Sequence, residues 1–177
     1  MDIKHIYITL VFIASFLSGC ASTGGSHELV SAPMSSSQAS KFSDLQITVQ
    51  PENNVYLSQE DTDRITRLIV ADIKTDNPSR FKSINSATPS PATLHASVAI
   101  KRYEEGSAFA RAMLAGLGQI HIDADVTLSD FSSKEKLAQY EVTKTFAWGG
   151  LYGGFTGVED AEVGFCKAVA DSILGKD

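Results

Sequence analysis

The sequence contains few cysteines and no excess of basic residues. Two cysteines among 177 residues exclude a disulfide-dense scaffold and a zinc site built from four cysteine ligands. Lys and Arg total 15 against 21 Asp and Glu, a net charge of −6, so the basic stripe that neutralises phosphates is missing. We therefore predict no nucleic-acid partner. Charged residues at 20% and aromatic residues at 8% are ordinary for one globular domain.

The amino-terminal hydrophobic run is too short to cross a bilayer as a helix. Ile6–Leu17 contains 12 residues, whereas a transmembrane helix takes about 20. The run ends in the sequence Leu-Ser-Gly-Cys, which resembles a bacterial lipobox with small residues before the cysteine. We predict that residues 1–19 are a lipoprotein signal peptide, cleaved between Gly19 and Cys20, and that Cys20 is the lipidated residue.

A lipidated Cys20 predicts attachment to a membrane. One acyl chain binds a bilayer only marginally, at about 0.8 kcal/mol per buried methylene. A cysteine of the bacterial lipoprotein type carries more than one chain, such as palmitate, which gives stable anchoring. Ala21 follows it, rather than the Asp that resembles an inner-membrane retention signal. We predict a location on the outer membrane, facing the periplasm.

Residues 20–43 have few large apolar side chains and include the run Ser35–Ser37. Such a composition buries too little surface to offset the entropy of ordering the chain. We predict a lipidated cysteine followed by a flexible tether over residues 20–43, with a root-mean-square reach of about 25 Å. A single folded domain then occupies residues 44–177.

Two hydrophobic periodicities alternate along this domain. Apolar and polar residues alternate, as is typical of strands, at Leu45–Val49, Leu94–Ile100, Ile120–Leu128 and Tyr140–Trp148, and a shorter strand is indicated near Phe81 and Ile84. Helical spacing follows Ser58, which forms a capping pair with Asp61, and returns between Val158 and Leu174. We predict an α+β fold: a mostly antiparallel sheet of about five strands with two main helices packed on one face.

A motif in the middle of the chain resembles a bacterial family. Tyr103-x-x-Gly106, Ala110-Arg111 and Gly116-x-Gly118 precede the strand that ends at Asp130, and a glycine-rich run and an amphipathic helix follow. Together they are similar to the lipoprotein family known as domain of unknown function 4410. The resemblance extends from about Leu45 to the end of the chain. It implies the topology and an envelope location, and it carries no information on chemistry because the family has no assigned activity.

The glycine-rich run Gly149–Gly157 is a candidate interaction loop. It would expose Leu151, Tyr152 and Phe155 to a partner, or it is a structural connection in which glycines supply positive φ angles. A phosphate site at the start of the following helix is disfavoured, because that helix begins with acidic residues that suit its dipole instead: Glu159, Asp160 and Glu162.

A second apolar segment, Glu105–Gln119, is rich in alanine and has Arg111 as its only charge beyond Glu105. Its large apolar residues are Phe109, Met113, Leu114 and Leu117. We favour a short helix that packs its apolar side chains into the core. The alternative is a helix exposed to lipid or to a partner.

Two further candidates concern chemistry rather than binding. His121, Asp123 and Asp125 share the polar face of one strand, spaced about 6.8 Å from one to the next, and with Glu141 on a neighbouring strand they could share a cation. The same pattern is typical of a solvated strand face. Cys166 is the one thiol that remains beside Cys20, and its apolar neighbours along the helix indicate burial rather than nucleophilic reactivity.

These observations favour a lipid-anchored periplasmic lipoprotein of unknown molecular activity that is not an enzyme and needs no cofactor. We predict a binding or assembly module of the cell envelope whose partner is an envelope protein or further copies of the chain. The alternative is a periplasmic enzyme that binds a metal or a small molecule on the His121/Asp123/Asp125 face.

Overall fold

The computed structural model describes residues 24–114 and 117–176. The predicted signal peptide, its cleavage site at Gly19 and the predicted lipidation site at Cys20 lie outside the described residues. Within them the chain forms one six-stranded sheet and five helices. No helix in these two ranges is both long and apolar enough to cross a membrane.

The strands are β1 (Ser26–Leu29), β2 (Asp44–Pro51), β3 (Ser83–Ile84), β4 (Thr93–Glu104), β5 (Ile120–Asp130) and β6 (Lys136–Phe146). The helices are α1 (Ser36–Ala39), α2 (Gln59–Asp76), α3 (Ala108–Met113), α4 (Gly150–Phe155) and α5 (Val158–Leu174). The strand order is β1-β6-β5-β4-β2-β3. The α+β class is confirmed, with six strands where about five were predicted.

The sheet is mixed, with three of its five neighbouring pairs antiparallel. β4 pairs antiparallel with β5, β5 with β6 and β6 with β1, whereas β2 pairs parallel with both β4 and β3. The parallel pairing follows from the connection, because the chain returns from β2 to β4 through helix α2, and parallel neighbours need such a crossover. The predicted period appears directly in β5, where every second residue from Ile120 to Leu128 is buried.

Helices α2 and α5 form the second layer of the core. They pack against each other, with α5 against β5 and β6 and with α2 against β2. The predicted cap is present at α2, since the Ser58 side chain accepts a hydrogen bond from the Asp61 backbone N–H and the Asp61 carboxylate accepts one from the Ser58 N–H. α5 ends at Gly175, whose φ of 66° is the left-handed conformation that favours glycine at this position.

The prediction of a flexible tether over residues 20–43 is wrong for residues 24–43. β1 pairs with the outer edge of β6, with Ser26 opposite Thr143. Farther along, the Arg80 guanidinium donates hydrogen bonds to the carbonyl oxygens of Phe42 at 2.8 Å and Ala39 at 3.0 Å, and the Phe42 side chain is buried. Composition alone misled here, because backbone hydrogen bonds to an existing strand edge order a segment that has few apolar side chains.

Candidate interaction surface

Two short helices form a separate lobe at one end of the sheet. Helix α3 follows the end of β4 and precedes β5, and helix α4 follows the end of β6. We call residues 105–114, 117–119 and 147–157 the α3–α4 lobe. The two helices pack closely because Gly154 has no side chain: a Cβ atom there would lie 2.9 Å from the Ala112 Cβ atom.

The side chain of Arg111 holds the lobe together from inside. It is 3% exposed, and its guanidinium donates hydrogen bonds to four main-chain carbonyl oxygens: Gly153 at 2.8 Å, Glu105 at 2.8 Å, Gly118 at 2.6 Å and Thr156 at 2.8 Å. No carboxylate pairs with Arg111 among the residues that the structure describes. One charged side chain therefore fixes both segments of the lobe through their backbones. The same hydrogen bonds satisfy the buried N–H donors of the Arg111 guanidinium.

Glycines of the motif in the middle of the chain give the lobe its shape. Gly106 and Gly118 have φ angles of 63° and 73°, in the left-handed region. A Cβ atom on Gly106 would overlap the carbonyl oxygens of Gln119 and Gly118, and one on Gly118 would overlap that of Ser107. The motif is therefore architectural: its glycines allow the turns that bring the acceptors of Arg111 together. Gly116 lies outside the described residues.

The outer surface of the lobe is apolar. Eight large hydrophobic side chains are exposed there, by 45% to 86%: Phe109, Met113, Leu114, Leu117, Trp148, Leu151, Tyr152 and Phe155. Four others are exposed elsewhere in the described residues, namely Leu29, Val30, Tyr56 and Val163. Single exposed apolar residues need no explanation, but a contiguous group of this kind is typical of a binding surface.

The predicted loop Gly149–Gly157 is instead largely helical, over Gly150–Phe155. Packing against α3 supplies stability that the glycine-rich sequence lacks by itself, and the Thr156 hydroxyl closes the last turn by donating to the Tyr152 carbonyl oxygen at 2.9 Å. Leu151, Tyr152 and Phe155 are all exposed in this helix. Whether they contact a partner stays a prediction.

The favoured interpretation of Glu105–Gln119 as a core helix is wrong. Its large apolar side chains are exposed, and it is the charged Arg111 that is buried. The sequence held one signal of this inversion, because Arg111 is the one basic residue in an alanine-rich and glycine-rich segment, and a buried arginine must find acceptors, here from the backbone. The alternative of an exposed helix describes this segment better.

An ionic cluster, which the sequence did not reveal, is built around one fully buried carboxylate and reaches from the core to the surface. Glu162 is fully buried and accepts hydrogen bonds from Arg64 Nε at 2.7 Å, Arg64 Nη2 at 2.8 Å and the Tyr103 hydroxyl at 2.7 Å. Arg64 also binds Asp61 at 2.6 Å. Burial and the hydrogen bond to Glu162 raise the pKa of Tyr103, and the hydrogen bonds to Glu162 raise the pKa of Arg64. The cluster connects α2, β4 and α5.

The polar face of β5 is neutralised by the neighbouring strand. Asp123 pairs with Arg102 at 2.7 Å, and Asp125 pairs with Lys101 at 2.8 Å. His121 Nδ1 lies 3.0 Å from Arg102 Nη2. Lys101 also binds Glu141 at 2.8 Å, and the hydrogen bonds to Asp125 and Glu141 raise its pKa.

No group of three or more His, Cys, Asp or Glu side chains within residues 24–114 and 117–176 is arranged to hold a metal ion. The predicted candidates form ion pairs and hydrogen bonds on a strand face instead: His121, Asp123 and Asp125. The structure therefore lends no support to the metal-binding alternative.

Burial of Cys166 is confirmed. The thiol is fully buried on α5, and its Sγ atom lies 3.7 Å from the Ile65 carbonyl oxygen, to which it donates. Burial raises the pKa of the thiol well above its usual range, so the nucleophilic thiolate is disfavoured.

Comparison with known proteins identifies one family and one shared fold. The model of the family described as Domain of unknown function (DUF4410) matches residues 31–150. Two crystal forms of PelC from Paraburkholderia phytofirmans, both described as dodecamers, are similar in structure. A variant of that protein gives a TM-score of 0.54 at 11% identity over 84% of this chain and 96% of that one. The second form gives a TM-score of 0.54 at 13% identity over 86% and 99%. Identities this low show a shared fold alone, and no curated protein matches the chain.

Proposed function

The chain belongs to the family described as domain of unknown function DUF4410, and from this premise we propose that it is a lipid-anchored module of the bacterial cell envelope that acts by binding rather than by catalysis. The proposed anchor is Cys20, which becomes the amino terminus after cleavage between Gly19 and Cys20. The proposed location is the periplasmic face of the outer membrane. The observation that carries the proposal is the exposed apolar surface of the α3–α4 lobe.

The lobe has the properties of a preformed binding surface. Of its eight exposed apolar side chains, five lie on the two helices and three lie in the segments beside them, and the buried Arg111 holds these segments in place. A rigid surface loses little conformational entropy when it binds, so more of the interaction energy is expressed as affinity. An apolar surface of this kind left in water would promote aggregation, which supports a covered state in the envelope.

The polar clusters support binding rather than catalysis. Glu162 is saturated by Arg64 and Tyr103, and Asp123 and Asp125 are engaged by cations of the adjacent strand. A general acid, base or nucleophile must have an atom free to meet a substrate. These groups are instead engaged in internal contacts, the second carboxylate oxygen of Asp123, Oδ1, is buried, and the Cys166 thiol is buried.

Self-assembly is the second candidate function. PelC, which shares this fold, forms a dodecamer, and we extend that property to this chain as a proposal. Most soluble oligomers have closed symmetry, and a cyclic ring places the same end of every subunit on one side. In such a ring each lobe and each lipid anchor would face the same membrane.

A photo-cross-linking side chain at position 151 tests the proposed binding surface. The full chain is produced in a bacterial host, and intact envelopes are irradiated. We expect adducts from position 151, on α4, and none from the matched position 30, where Val30 is 58% exposed at the far end of the sheet. Adducts whose masses are multiples of the chain would support self-assembly. Equal behaviour of the two positions would contradict the proposal.

The anchor is tested separately with the full-length variant Cys20→Ser. The wild-type chain should fractionate with membranes and carry acyl chains at its amino terminus. The variant should lose the acyl chains and their contribution to membrane retention. An unmodified amino terminus in the wild-type protein would contradict the anchored part of the proposal.

A further inference from the structure

The distance between the proposed anchor and the folded domain is short. The described chain begins at Gly24, and β1 begins at Ser26. An extended chain spans at most about 3.6 Å per residue, so the Cα atom of Cys20 lies within about 14 Å of the Cα atom of Gly24 in any conformation. A lipid anchor at Cys20 therefore holds the point of chain entry against the membrane surface.

The chain enters the fold beside the α3–α4 lobe. The Gly24 carbonyl oxygen accepts a hydrogen bond from Lys144 Nζ at 3.0 Å. Because Ser26 is opposite Thr143 in an antiparallel pair, the chain preceding β1 runs toward the end of β6. β6 ends at Phe146, whose ring lies 6.0 Å from that of Tyr152 in helix α4. The start of the described chain and the lobe are thus at the same end of the sheet.

We propose that the apolar surface of the α3–α4 lobe inserts into the membrane to which Cys20 is attached, at the boundary between lipid headgroups and acyl chains. This inference rests on the proposed function and names the occupant of its binding surface as the lipid bilayer. The lobe would then be a second membrane contact that sets the orientation of the whole domain. A lipid anchor and an inserted apolar surface together bind more stably than either alone.

The chemistry of the lobe fits a membrane interface. Trp148 and Tyr152 stack edge to face with ring centroids 6.0 Å apart, and these two residue types are enriched where headgroups meet hydrocarbon. Met113, Leu151 and Phe155 supply purely apolar surface beside them. Helices α3 and α4 have six residues each, which suits an interfacial position because spanning takes about 20.

The charges of the lobe leave no exposed basic residue on its two helices to attract anionic headgroups. The one basic residue within α3 and α4, Arg111, is buried with its guanidinium bound to backbone oxygens. The residues that flank the two helices include exposed acids: Glu104, Glu105, Glu159 and Asp160. The attraction is therefore hydrophobic, and we expect it in zwitterionic vesicles without added anionic lipid.

Further apolar surface lies at the same end of the molecule. β2 is parallel to β4, with Pro51 opposite Ile100, so the segment after β2 emerges at the end where β4 leads to the lobe. Tyr56 follows in that segment and is strongly exposed. The far end of the sheet, in contrast, has the polar turn between β5 and β6, where residues 132–136 are exposed.

The single tryptophan of the chain makes insertion measurable without labelling, because Trp148 lies in the lobe. The full-length acylated protein is reconstituted into phosphatidylcholine vesicles whose acyl chains are either ordinary or brominated. Bromine quenches a nearby indole, so we expect strong loss of Trp148 emission in the brominated vesicles, together with protection from a water-soluble quencher. Equal emission in the two kinds of vesicle would overturn the inference.

The double variant Leu151→Ser/Phe155→Ser separates insertion from simple nearness to the membrane. Both residues are exposed, so the variant should fold, and Trp148 is retained. Burial of a large apolar side chain changes partitioning by about tenfold or more, so the variant should lose most of the bromine quenching. The control Val30→Ser, at the far end of the sheet, should keep it. Unchanged quenching in the double variant would overturn the inference.

The two proposals fail in different ways. If Trp148 is not quenched but position 151 forms adducts with protein, a protein partner covers the lobe, and the proposed function stands while the lipid inference falls. If Trp148 is not quenched and position 151 forms no adducts, both fall. Adducts of lipid mass from position 151 together with quenching support both.

Discussion

Two arginines, the partly exposed Arg64 and the buried Arg111, are used in opposite ways in the two parts of this molecule. In the core, Arg64 binds the fully buried carboxylate of Glu162 through two nitrogens. In the α3–α4 lobe, Arg111 binds four main-chain carbonyl oxygens. The core arginine connects helices that already share a large apolar interior. The lobe arginine substitutes for such an interior, which leaves the apolar side chains of the lobe free to point at something else.

Substitutions in the two parts should destabilise different portions of the molecule. The core is stabilised by burial of its apolar residues, so damage to its ionic cluster should weaken the whole cooperative unit. The lobe has few buried apolar contacts and depends on hydrogen bonds to one side chain. Damage there should loosen the lobe and leave the core folded, as expected for a subdomain with its own local opening.

The largest effect is expected for Glu162→Ala. The substitution leaves Arg64 and Tyr103 without their buried acceptor, and breaking such a pair costs about 4 kcal/mol of the free energy of unfolding. Urea unfolding measures this loss, and alkylation of the buried Cys166 should accelerate with it. The matched control is Glu135→Ala, an exposed acid in the β5–β6 turn, with an expected change within about 0.5 kcal/mol. Equal stability of the two variants would show that the core does not depend on the cluster.

The next effect is expected for Arg111→Met, which keeps the length of the side chain and removes its donors. Hydrogen bonds to charged groups are worth about 1.5–3 kcal/mol each, so we expect the lobe to lose about 3 kcal/mol of local stability. Hydrogen exchange should accelerate in α3 and α4 while α2, β4 and α5 remain protected. Acceleration across the whole chain would erase the distinction between lobe and core.

A smaller effect is expected for Gly106→Ala. The residue has a left-handed backbone, and a Cβ atom would overlap backbone oxygens of the lobe, so we expect a cost of about 2 kcal/mol. Gly150→Ala is the matched control, because Gly150 has a similar φ of 73° but no atom within 4 Å of a Cβ atom. Its cost should be limited to the backbone strain, about 1 kcal/mol. If both variants behave alike, the close packing within the lobe contributes nothing.

The smallest effect is expected on the stability of the folded state when the pH is lowered. Hydrogen bonds from Lys176 and Lys167 lower the pKa of Asp76 from 3.8 to about 2. The carboxylate therefore stabilises the folded state above pH 3.8, and this contribution is lost as the pH falls toward 2.

Asp76 is at the end of α2, and Lys167 is on α5, so protonation should loosen the two core helices from each other. In Asp76→Asn the melting temperature should depend less on pH between pH 4 and pH 2. Asp63 is an exposed acid on the same helix, and Asp63→Asn should keep the wild-type dependence on pH. An unchanged profile in Asp76→Asn would contradict this role.

Periodic burial was predictable from the sequence, and contacts between distant segments were not. Alternation predicted the strands of the sheet, and helical spacing with the Ser58 cap predicted α2, because these patterns report directly on which side chains face the core. β1 was not predicted, since an edge strand needs a partner strand more than it needs apolar residues. The buried Glu162 was not predicted either, because its partner Arg64 is 98 residues away.

A smaller part of the candidate surface was predictable. Exposure of Leu151, Tyr152 and Phe155 was one of the two interpretations that the sequence left open for Gly149–Gly157, and these are three of the eight exposed apolar side chains of the lobe. Phe109 and its neighbours on α3 were assigned to the core, since apolar residues at helical spacing are buried in most proteins. Arg111 joins the two helices through hydrogen bonds to backbone oxygens. Every residue has such an oxygen, so no sequence pattern predicts this contact.

We propose that in the envelope the α3–α4 lobe is covered while the far end of the sheet is open to water. Leu117 in the lobe and Val30 at the far end are both 58% exposed, so Leu117→Cys and Val30→Cys form a matched pair, and the native Cys166 is buried. In isolated envelopes, a membrane-impermeant maleimide should label position 30 and leave position 117 unlabelled, and detergent should make the two react equally. Equal labelling of both positions before detergent would contradict the claim.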